Sequence, residues 1–214
     1  MSTDDPRARR VHWDERYATT TSTDVSWYQP VPTVSLRLIN ALGLPSSSAL
    51  VDVGAGASTL VDTLIGRGWT DLTVLDVSAE ALAVARARVS EAAATWIATD
   101  LLTWQPDRRY DIWHDRAVFH FLTDDEDRAA YRDVLTTALA PSGAVVVGTF
   151  ALDGPTHCSG LPVERYDADG LAAALGPGLD VVSSEREEHH TPSGASQPFM
   201  WVVLRRRGTP AQLP

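Results

Sequence analysis

Residues 49–59 read ALVDVGAGAST, and this stretch decides the fold. Its first five residues are almost entirely apolar, as expected of a parallel strand that is covered on both faces. Gly54 and Gly56 follow, and glycine allows the backbone to turn sharply and to approach a ligand closely. A helical pattern begins just after them, so the free N–H groups of its first turn face the same point. The stretch therefore predicts a strand, a glycine loop and a helix with a ligand-binding site between them.

The alternation of strand and helix continues along the chain. The strand candidates are apolar runs bounded by turn residues: Ala49–Val53, Leu72–Asp76, Thr95–Ala98, Tyr110–His114 and Ala144–Phe150. Helical patterns at about 58–66, 79–92 and 124–140 separate them. Thr123 and Glu126 have the spacing of a capping box for the last helix. Such alternation with short connections predicts an α/β fold with a doubly wound, mostly parallel sheet.

The segment before the first strand has a different character. A short helix is predicted over 11–17, followed by a polar loop and the aromatic segment VSWYQPVP. An aromatic segment interrupted by a polar loop at this place indicates a flap over the binding site. A second helix is predicted from Thr33 to about Leu42, where Gly43 and Pro45 end it.

After the fifth strand the pattern changes again. A loop over 150–163 leads to a small helix, Asp167–Leu175, and then to two closing strands, Leu179–Arg186 and Phe199–Leu204, joined by the polar loop 187–198. We find no internal repeat. We therefore expect an N-terminal helical flap over 1–45, one binding domain over 46–206 and a tail over 207–214.

Composition excludes several classes of protein. A chain of 214 residues with 44% hydrophobic residues suits one α/β domain. The formal net charge of −10 disfavours binding to nucleic acid, which needs a basic face. The absence of an 18-residue apolar run and of a leader pattern predicts no membrane partner, and the single Cys158 fits a reducing compartment. We expect a cytoplasmic protein, either a monomer or a homodimer.

Two acidic residues point to a nucleoside. Asp76 ends the second strand twenty positions beyond Gly56, where its carboxylate can accept both hydroxyls of a ribose. Asp100 follows the third strand. Either acid alone is also explained as a helix cap or a solvated loop residue, but both together with the glycine loop predict a nucleoside site. Thr59 stands where a dinucleotide fingerprint has its third glycine, which disfavours a nicotinamide oxidoreductase without eliminating it.

The segments VDVGAGAS, LDVS, ATDL and YDIWHD resemble, in order and spacing, the motifs of class I S-adenosylmethionine-dependent methyltransferases. The resemblance covers about residues 11–206. It implies a Rossmann-like seven-stranded sheet whose last strand is antiparallel, S-adenosyl-L-methionine as cofactor, and methyl transfer as the activity. No metal is expected, because the pairs His157–Cys158 and His189–His190 lack a metal-site spacing.

The resemblance also implies roles for individual residues. Gly54 and Gly56 are expected beside the methionine part of the cofactor, with Asp52 under its amino group. Asp76 and Val77 are expected at the ribose, and Asp100 and Leu101 at the adenine. From the flap, Arg16 is a candidate partner for the cofactor carboxylate, and Trp27 is a candidate to close over the site. His114 is a candidate for cofactor binding as well as catalysis.

Candidate catalytic groups follow the fourth strand, where the chain leaves the carboxyl end of the sheet. His114 and His120 suit proton acceptance near neutral pH, and Asp115 would lie near the positive sulfonium. Either histidine is equally explained as a helix cap or a packing residue. Arg116, Phe119 and Phe121 share the segment.

The acceptor is expected to be a small molecule with an N, O or S nucleophile. The opening HWDERYA…SWYQ is similar to that of small-molecule thiol methyltransferases and also to that of certain protein-lysine methyltransferases. Segment 113–117, WHDRA, lacks the glycine of the lysine group, which weakens that alternative. A domain that binds the cofactor without turnover is the remaining alternative.

Overall fold

The computed structural model describes residues 5–207, so parts of the predicted flap and tail, residues 1–4 and 208–214, lie outside the described residues. The strands are β1 Leu50–Val53, β2 Leu72–Asp76, β3 Thr95–Ala98, β4 Tyr110–Arg116, β5 Leu139–Phe150, β6 His157–Cys158, β7 Leu161–Pro162, β8 Leu179–His190 and β9 Ser196–Arg206. The α-helices are α1 Pro6–Thr19, α2 Thr33–Ala41, α3 Leu60–Gly66, α4 Ala79–Arg86, α5 Asp125–Ala138 and α6 Ala168–Leu175.

Seven of these strands form one sheet in the order β3-β2-β1-β4-β5-β9-β8. The strands from β3 to β5 are mutually parallel, whereas β9 runs antiparallel to both β5 and β8. The strands β6 and β7 form a separate two-stranded ribbon. The predicted Rossmann-like sheet, mostly parallel and with an antiparallel last strand, is confirmed.

Alternate residues of the strands pack on opposite faces of the sheet. Leu50 belongs to the cluster that includes α2 and α3, whereas Val51 and Val53 belong to the cluster that includes α5 and α6. Because both faces are covered, most side chains of the central strands are apolar and buried. The helix α2 contributes buried Leu36 and Ile39 to the first cluster, so this part of the predicted flap is built into the core.

Three sequence-based predictions of local structure are wrong. The cap of α5 is Asp124, which accepts from the Asp127 N–H at 2.9 Å, so Thr123 and Glu126 form no capping box. The predicted loop 187–198 is mostly strand, because β8 and β9 remain paired as far as His190 and Ser196. The helix predicted over 79–92 ends at Arg86.

The other element boundaries shift by a few residues. The helix α1 is longer than predicted because Asp5 caps it at 2.8 Å from the Arg7 N–H and Pro6 occupies its first turn. The strand β5 begins at Leu139 instead of Ala144. Among residues 5–207, no helix has the length and apolar character needed to cross a bilayer.

Candidate functional site

A cavity opens at the carboxyl ends of the parallel strands, and its empty space, including the open mouth, is about 940 Å³. The strand β1 lies between β2 and β4, so the strand order reverses at this point and leaves a crevice above the sheet. The helix α1 lies over the crevice and contributes Arg9, Trp13 and Tyr17 to its lining. A second cleft of about 580 Å³ lies beside it, and Gly54 lines both.

The glycine loop has a backbone that only glycine fits. Gly54 has φ +60° and Gly56 has φ +54°, the left-handed region that other residues rarely adopt. A Cβ on Gly54 would lie 1.9 Å from Val118 Cγ2, and one on Gly56 would lie 2.2 Å from the Tyr17 hydroxyl oxygen. The two glycines therefore allow β4 and α1 to approach the end of β1.

Asp76 lies at the end of β2 and lines the cavity. Its Oδ2 accepts from the Gly56 N–H at 2.7 Å and its Oδ1 accepts from the Ser78 N–H at 2.8 Å. Each oxygen keeps a second lone pair that can accept from a ligand hydroxyl. Burial raises the pKa of Asp76 to about 6, and Asp52 and Asp14 add to the rise.

Asp100 lies at the next strand end, where it caps a turn and also pairs with an arginine of α1. Its Oδ1 caps a short 3₁₀ turn by accepting from the Leu102 N–H at 2.9 Å, and its Oδ2 pairs with Arg9 Nε of α1 at 2.8 Å. Val77 and Leu101 line the cavity beside the two acids. The sheet thus brings together the acids and apolar groups that the sequence predicted for the adenosine site.

Asp52 lines the second cleft instead of the first. Its Oδ1 lies 2.7 Å from His114 Nδ1, and His114 Nε2 lies 2.9 Å from Ser35 Oγ of α2. All three side chains are buried. These two hydrogen bonds fix the orientation of the Asp52 side chain beneath the glycine loop, and they engage both ring nitrogens of His114.

Comparison with known proteins identifies the kind of enzyme to which this cavity belongs. Residues 50–143 match the family model described as a methyltransferase domain. This segment contains the glycine loop, Asp76 and Asp100. No curated protein sequence matches the chain significantly.

Three solved structures of the same fold support the match. One is a SAM-dependent methyltransferase from Anabaena variabilis (18% identity, covering 94% of this chain and 95% of that chain, TM-score 0.73). Another is the N-methyltransferase NodS from Bradyrhizobium japonicum, solved with S-adenosyl-L-homocysteine (20% identity, 90% and 95%, TM-score 0.69). The third is 1,6-didemethyltoxoflavin-N1-methyltransferase from Burkholderia thailandensis, solved with 1,6-didemethyltoxoflavin and S-adenosylhomocysteine (19% identity, 96% and 92%, TM-score 0.67).

Residues 50–143 of the chain form a methyltransferase domain, and its sheet has the fold of solved S-adenosylmethionine-dependent methyltransferases. The protein is therefore an enzyme, and its cofactor is S-adenosylmethionine. The predicted resemblance and the predicted cofactor are confirmed. The chemistry of the site fits this cofactor, because the buried acid Asp76 suits a pair of ribose hydroxyls and Asp52 suits an ammonium group.

The position of Asp115 in the methyltransferase differs from that expected of a catalytic acid. Its side chain is fully buried and lines neither cleft. It accepts from the Val118 N–H at 2.9 Å and from the Tyr131 hydroxyl at 2.7 Å. Its pKa is raised to about 6, chiefly by burial. These contacts make Asp115 a support for the turn after β4, because its carboxylate is directed away from the cavity.

His120 also differs from its predicted position. It is fully buried, lines neither cleft, and lies between Phe121 and Phe150 with ring centroids 4.6 and 4.7 Å away. Burial and the nearby Arg116 lower its pKa to about 3. A group with so low a pKa is a weak base at neutral pH. The packing alternative therefore describes His120 better than the catalytic one.

The helix α1 covers the cavity as the predicted flap would. Trp13 packs edge-on against Trp27 and Phe121, and the Ser78 hydroxyl donates to Asp14 at 2.6 Å. Trp27 lines both clefts. Arg16 lines neither, and its guanidinium lies 5.9 Å from the Trp27 ring centroid.

Other lining residues carried no signal in the sequence. Arg116 was singled out only as a neighbour of the candidate catalytic residues, yet it lines both clefts. Phe199 lies far from Phe150 and Cys158 in the chain, and the pairing of β5 with β9 places it opposite Phe150. Within residues 5–207, no group of three His, Cys, Asp or Glu side chains has the arrangement of a metal site.

Proposed function

We propose that this methyltransferase transfers the methyl group of S-adenosylmethionine to a small molecule with an N, O or S acceptor. The observation that carries the proposal is a single cavity with two chemically different ends. The cofactor end holds Asp76 and Asp100. The other end, here named the aromatic chamber, is lined by Trp13, Trp27, Phe121, Phe150 and Phe199.

We assign the cofactor end as follows. Asp76, with Val77, accepts the ribose hydroxyls, and Asp100, with Leu101, borders the adenine. In the second cleft, Asp52 faces the amino group, supported by His114. Gly54 and Gly56 leave room for the methionine part beside Trp27. Arg16 remains our candidate for the cofactor carboxylate, although in this conformation it lies behind Trp27.

The cofactor supplies a methyl group that is already activated by a positive sulfur. The protein therefore needs to hold the acceptor in line with that methyl group and to keep water away, and such positioning contributes up to about 7–11 kcal/mol. The aromatic chamber suits both tasks, because α1 covers it and its walls are apolar. We assign Asp115 and His120 to the positioning of the turn that carries Arg116 and Val118.

A small-molecule acceptor is favoured over a protein lysine by the charge inside the chamber. Arg116 would repel a lysine ammonium, and it lies deep enough that its Nε and Nη2 are buried. Two structures of the same fold have small-molecule or N-methyltransferase names, and one of them contains bound 1,6-didemethyltoxoflavin. We also retain as predictions a cytoplasmic location, no nucleic-acid partner, and a monomer or homodimer.

Isotope-labelled S-adenosylmethionine tests the proposal. Calorimetry first establishes that S-adenosylhomocysteine binds the purified chain and that NADH does not. The enzyme is then incubated with labelled donor and either a library of small N, O and S nucleophiles or a library of lysine peptides. We expect label in small molecules only. Label in peptides alone would overturn the assignment of acceptor class, and tight cofactor binding with no transfer to any acceptor would support a silent domain.

A further inference from the structure

Arg116 is the last residue of β4 and extends into the cavity where the two clefts meet. Its Nη1 donates to the Trp27 carbonyl at 2.9 Å. Its Nε and Nη2 are buried and have no hydrogen-bond partner among residues 5–207. A buried donor without a partner destabilises the protein, and more so when the donor is charged. The N–H groups of these two nitrogens are therefore available to an acceptor that is not part of the described protein.

The charge of Arg116 also lacks a direct counter-ion among the described residues. No carboxylate there lies within 4.0 Å of it, although arginines such as Arg9 and Arg88 are paired with acids. The acid with the largest electrostatic influence on it is Glu187. Both Glu187 oxygens are already engaged, one by Gln29 at 2.8 Å and the other by Trp201 at 2.7 Å. In a protein with a net charge of −10, Arg116 is therefore a cation in the cavity without an ion pair in the described part of the chain.

The surroundings of Arg116 are aromatic. Its guanidinium lies 4.7 Å from the centre of the Phe199 ring, and Phe121 and Phe150 line the same chamber. Cys158, which also lines the chamber, does not neutralise the charge, because burial raises the pKa of its thiol to about 11 and keeps it protonated. A ligand that satisfies this chamber therefore has a flat apolar body and one negative group.

We propose that Arg116 binds the carboxylate of a small aromatic acid, and that the methyl acceptors of this enzyme belong to that class. A planar guanidinium with two free N–H groups matches a carboxylate in bidentate geometry. The aromatic body then lies against the rings of the chamber. The inference rests on the proposed function, since it identifies the acceptor of the same site. The carboxylate of the cofactor itself is the competing occupant, because Arg116 also lines the second cleft.

Binding of matched probes to the enzyme saturated with S-adenosylhomocysteine tests the proposal. The probes are benzoate against benzamide and indole-3-carboxylate against indole-3-carboxamide, which differ in charge while keeping their shape. In calorimetry, we expect each acid to bind at least about tenfold more tightly than its amide, as expected for charge-assisted hydrogen bonds. Equal affinities, tighter binding of the amides, or no binding of either probe would overturn the proposal.

Two variants assign the preference to the residue. Arg116→Gln should abolish the preference for the acids, because Arg116 binds the carboxylate of the acceptor. The same variant should leave the affinity for S-adenosylhomocysteine within about threefold of wild type. Arg37→Gln removes the same charge from the exposed pair with Glu185 and should leave the preference intact. Persistence of the preference in Arg116→Gln would overturn the proposal. So would a large loss of S-adenosylhomocysteine affinity, which would assign Arg116 to the cofactor. Failure of wild-type protein to bind S-adenosylhomocysteine would instead contradict the proposed function.

Discussion

The two ends of the cavity are built in opposite ways. The cofactor end consists of acids at the tips of neighbouring parallel strands, and each acid is also bonded to the local backbone. The aromatic chamber consists of side chains from α1, from the loop between α1 and α2, from the turn after β4, and from β5 and β9. Beside them lies Arg116 of β4, which lacks an ionic partner among residues 5–207. The cofactor end is therefore defined by the sheet itself, whereas the aromatic chamber depends on contacts between segments that are distant in the sequence.

The largest effect is expected at the cofactor end. Asp76→Ala removes two charge-assisted acceptors for the ribose, each worth about 1.5–3 kcal/mol, so the Kd for S-adenosylhomocysteine should rise at least about 100-fold. Calorimetry measures the change. Asp107→Ala, which removes an exposed acid, is the control and should not change the Kd. Unchanged binding in Asp76→Ala, with a wild-type circular dichroism spectrum, would show that the ribose lies elsewhere.

A second test separates backbone strain from close contact. Gly56→Ala combines a φ of +54° with a Cβ 2.2 Å from the Tyr17 hydroxyl oxygen, so Tyr17 and α1 must shift. Gly68→Ala is the matched control, because Gly68 has a φ of +83° and open space around the added Cβ. Both variants should lose about 1–2 kcal/mol of stability from strain, measured by urea unfolding. Only Gly56→Ala should also weaken S-adenosylhomocysteine binding, by about tenfold. Equal affinity of the two variants for S-adenosylhomocysteine would show that α1 takes no part in cofactor binding.

The pH dependence of cofactor binding is a smaller and more specific effect. Burial raises the pKa of Asp76 from 3.8 to about 6, so the carboxylate becomes protonated as the pH falls through 6. Ribose hydroxyls donate to the ionised form, and the affinity for S-adenosylhomocysteine should therefore fall about tenfold between about pH 8 and pH 5. Asp76→Asn should bind weakly at every pH and show a flat profile over this range. A decline that persists in Asp76→Asn would assign the titration to another group, of which Asp115 is the first candidate because burial raises its pKa to about 6 as well.

The contrast between the two ends also explains what the sequence predicts and what it does not. The positions of Asp76 and Asp100 follow from strand periodicity, because the carboxyl ends of parallel strands lie at one edge of a sheet. Asp115 and His120 immediately follow that edge, but their burial depends on Tyr131 of α5 and on Phe150 of β5, which local spacing does not reveal.

The closing hairpin illustrates the same limit. Residues 187–190 are polar and resemble a loop, yet they continue β8, because an edge strand needs apolar residues on one face only. His189 of this strand is buried, and its Nε2 donates to the Ser26 carbonyl at 2.7 Å, a contact across 163 residues. The pairing of β9 with β5 brings Phe199 to the chamber beside Phe150, so the acceptor end could not be assembled from sequence spacing alone.

The smallest effect is expected from replacing Cys158, and this test decides whether the aromatic chamber contains an activated thiol. Its thiol lines the chamber, and both Arg116 and Arg16 lower its pKa, but burial outweighs them and raises the pKa to about 11. A protonated thiol is neither a nucleophile nor an effective base at neutral pH. Cys158→Ala should therefore leave turnover within about twofold of wild type, and a disulfide reagent should label the native thiol far more slowly than the unfolded one. Rapid native labelling, or a loss of turnover above about tenfold in Cys158→Ala, would mean that the chamber contains an activated thiol. The guanidinium of Arg116 would then stabilise the thiolate of Cys158 instead of the carboxylate of an acceptor.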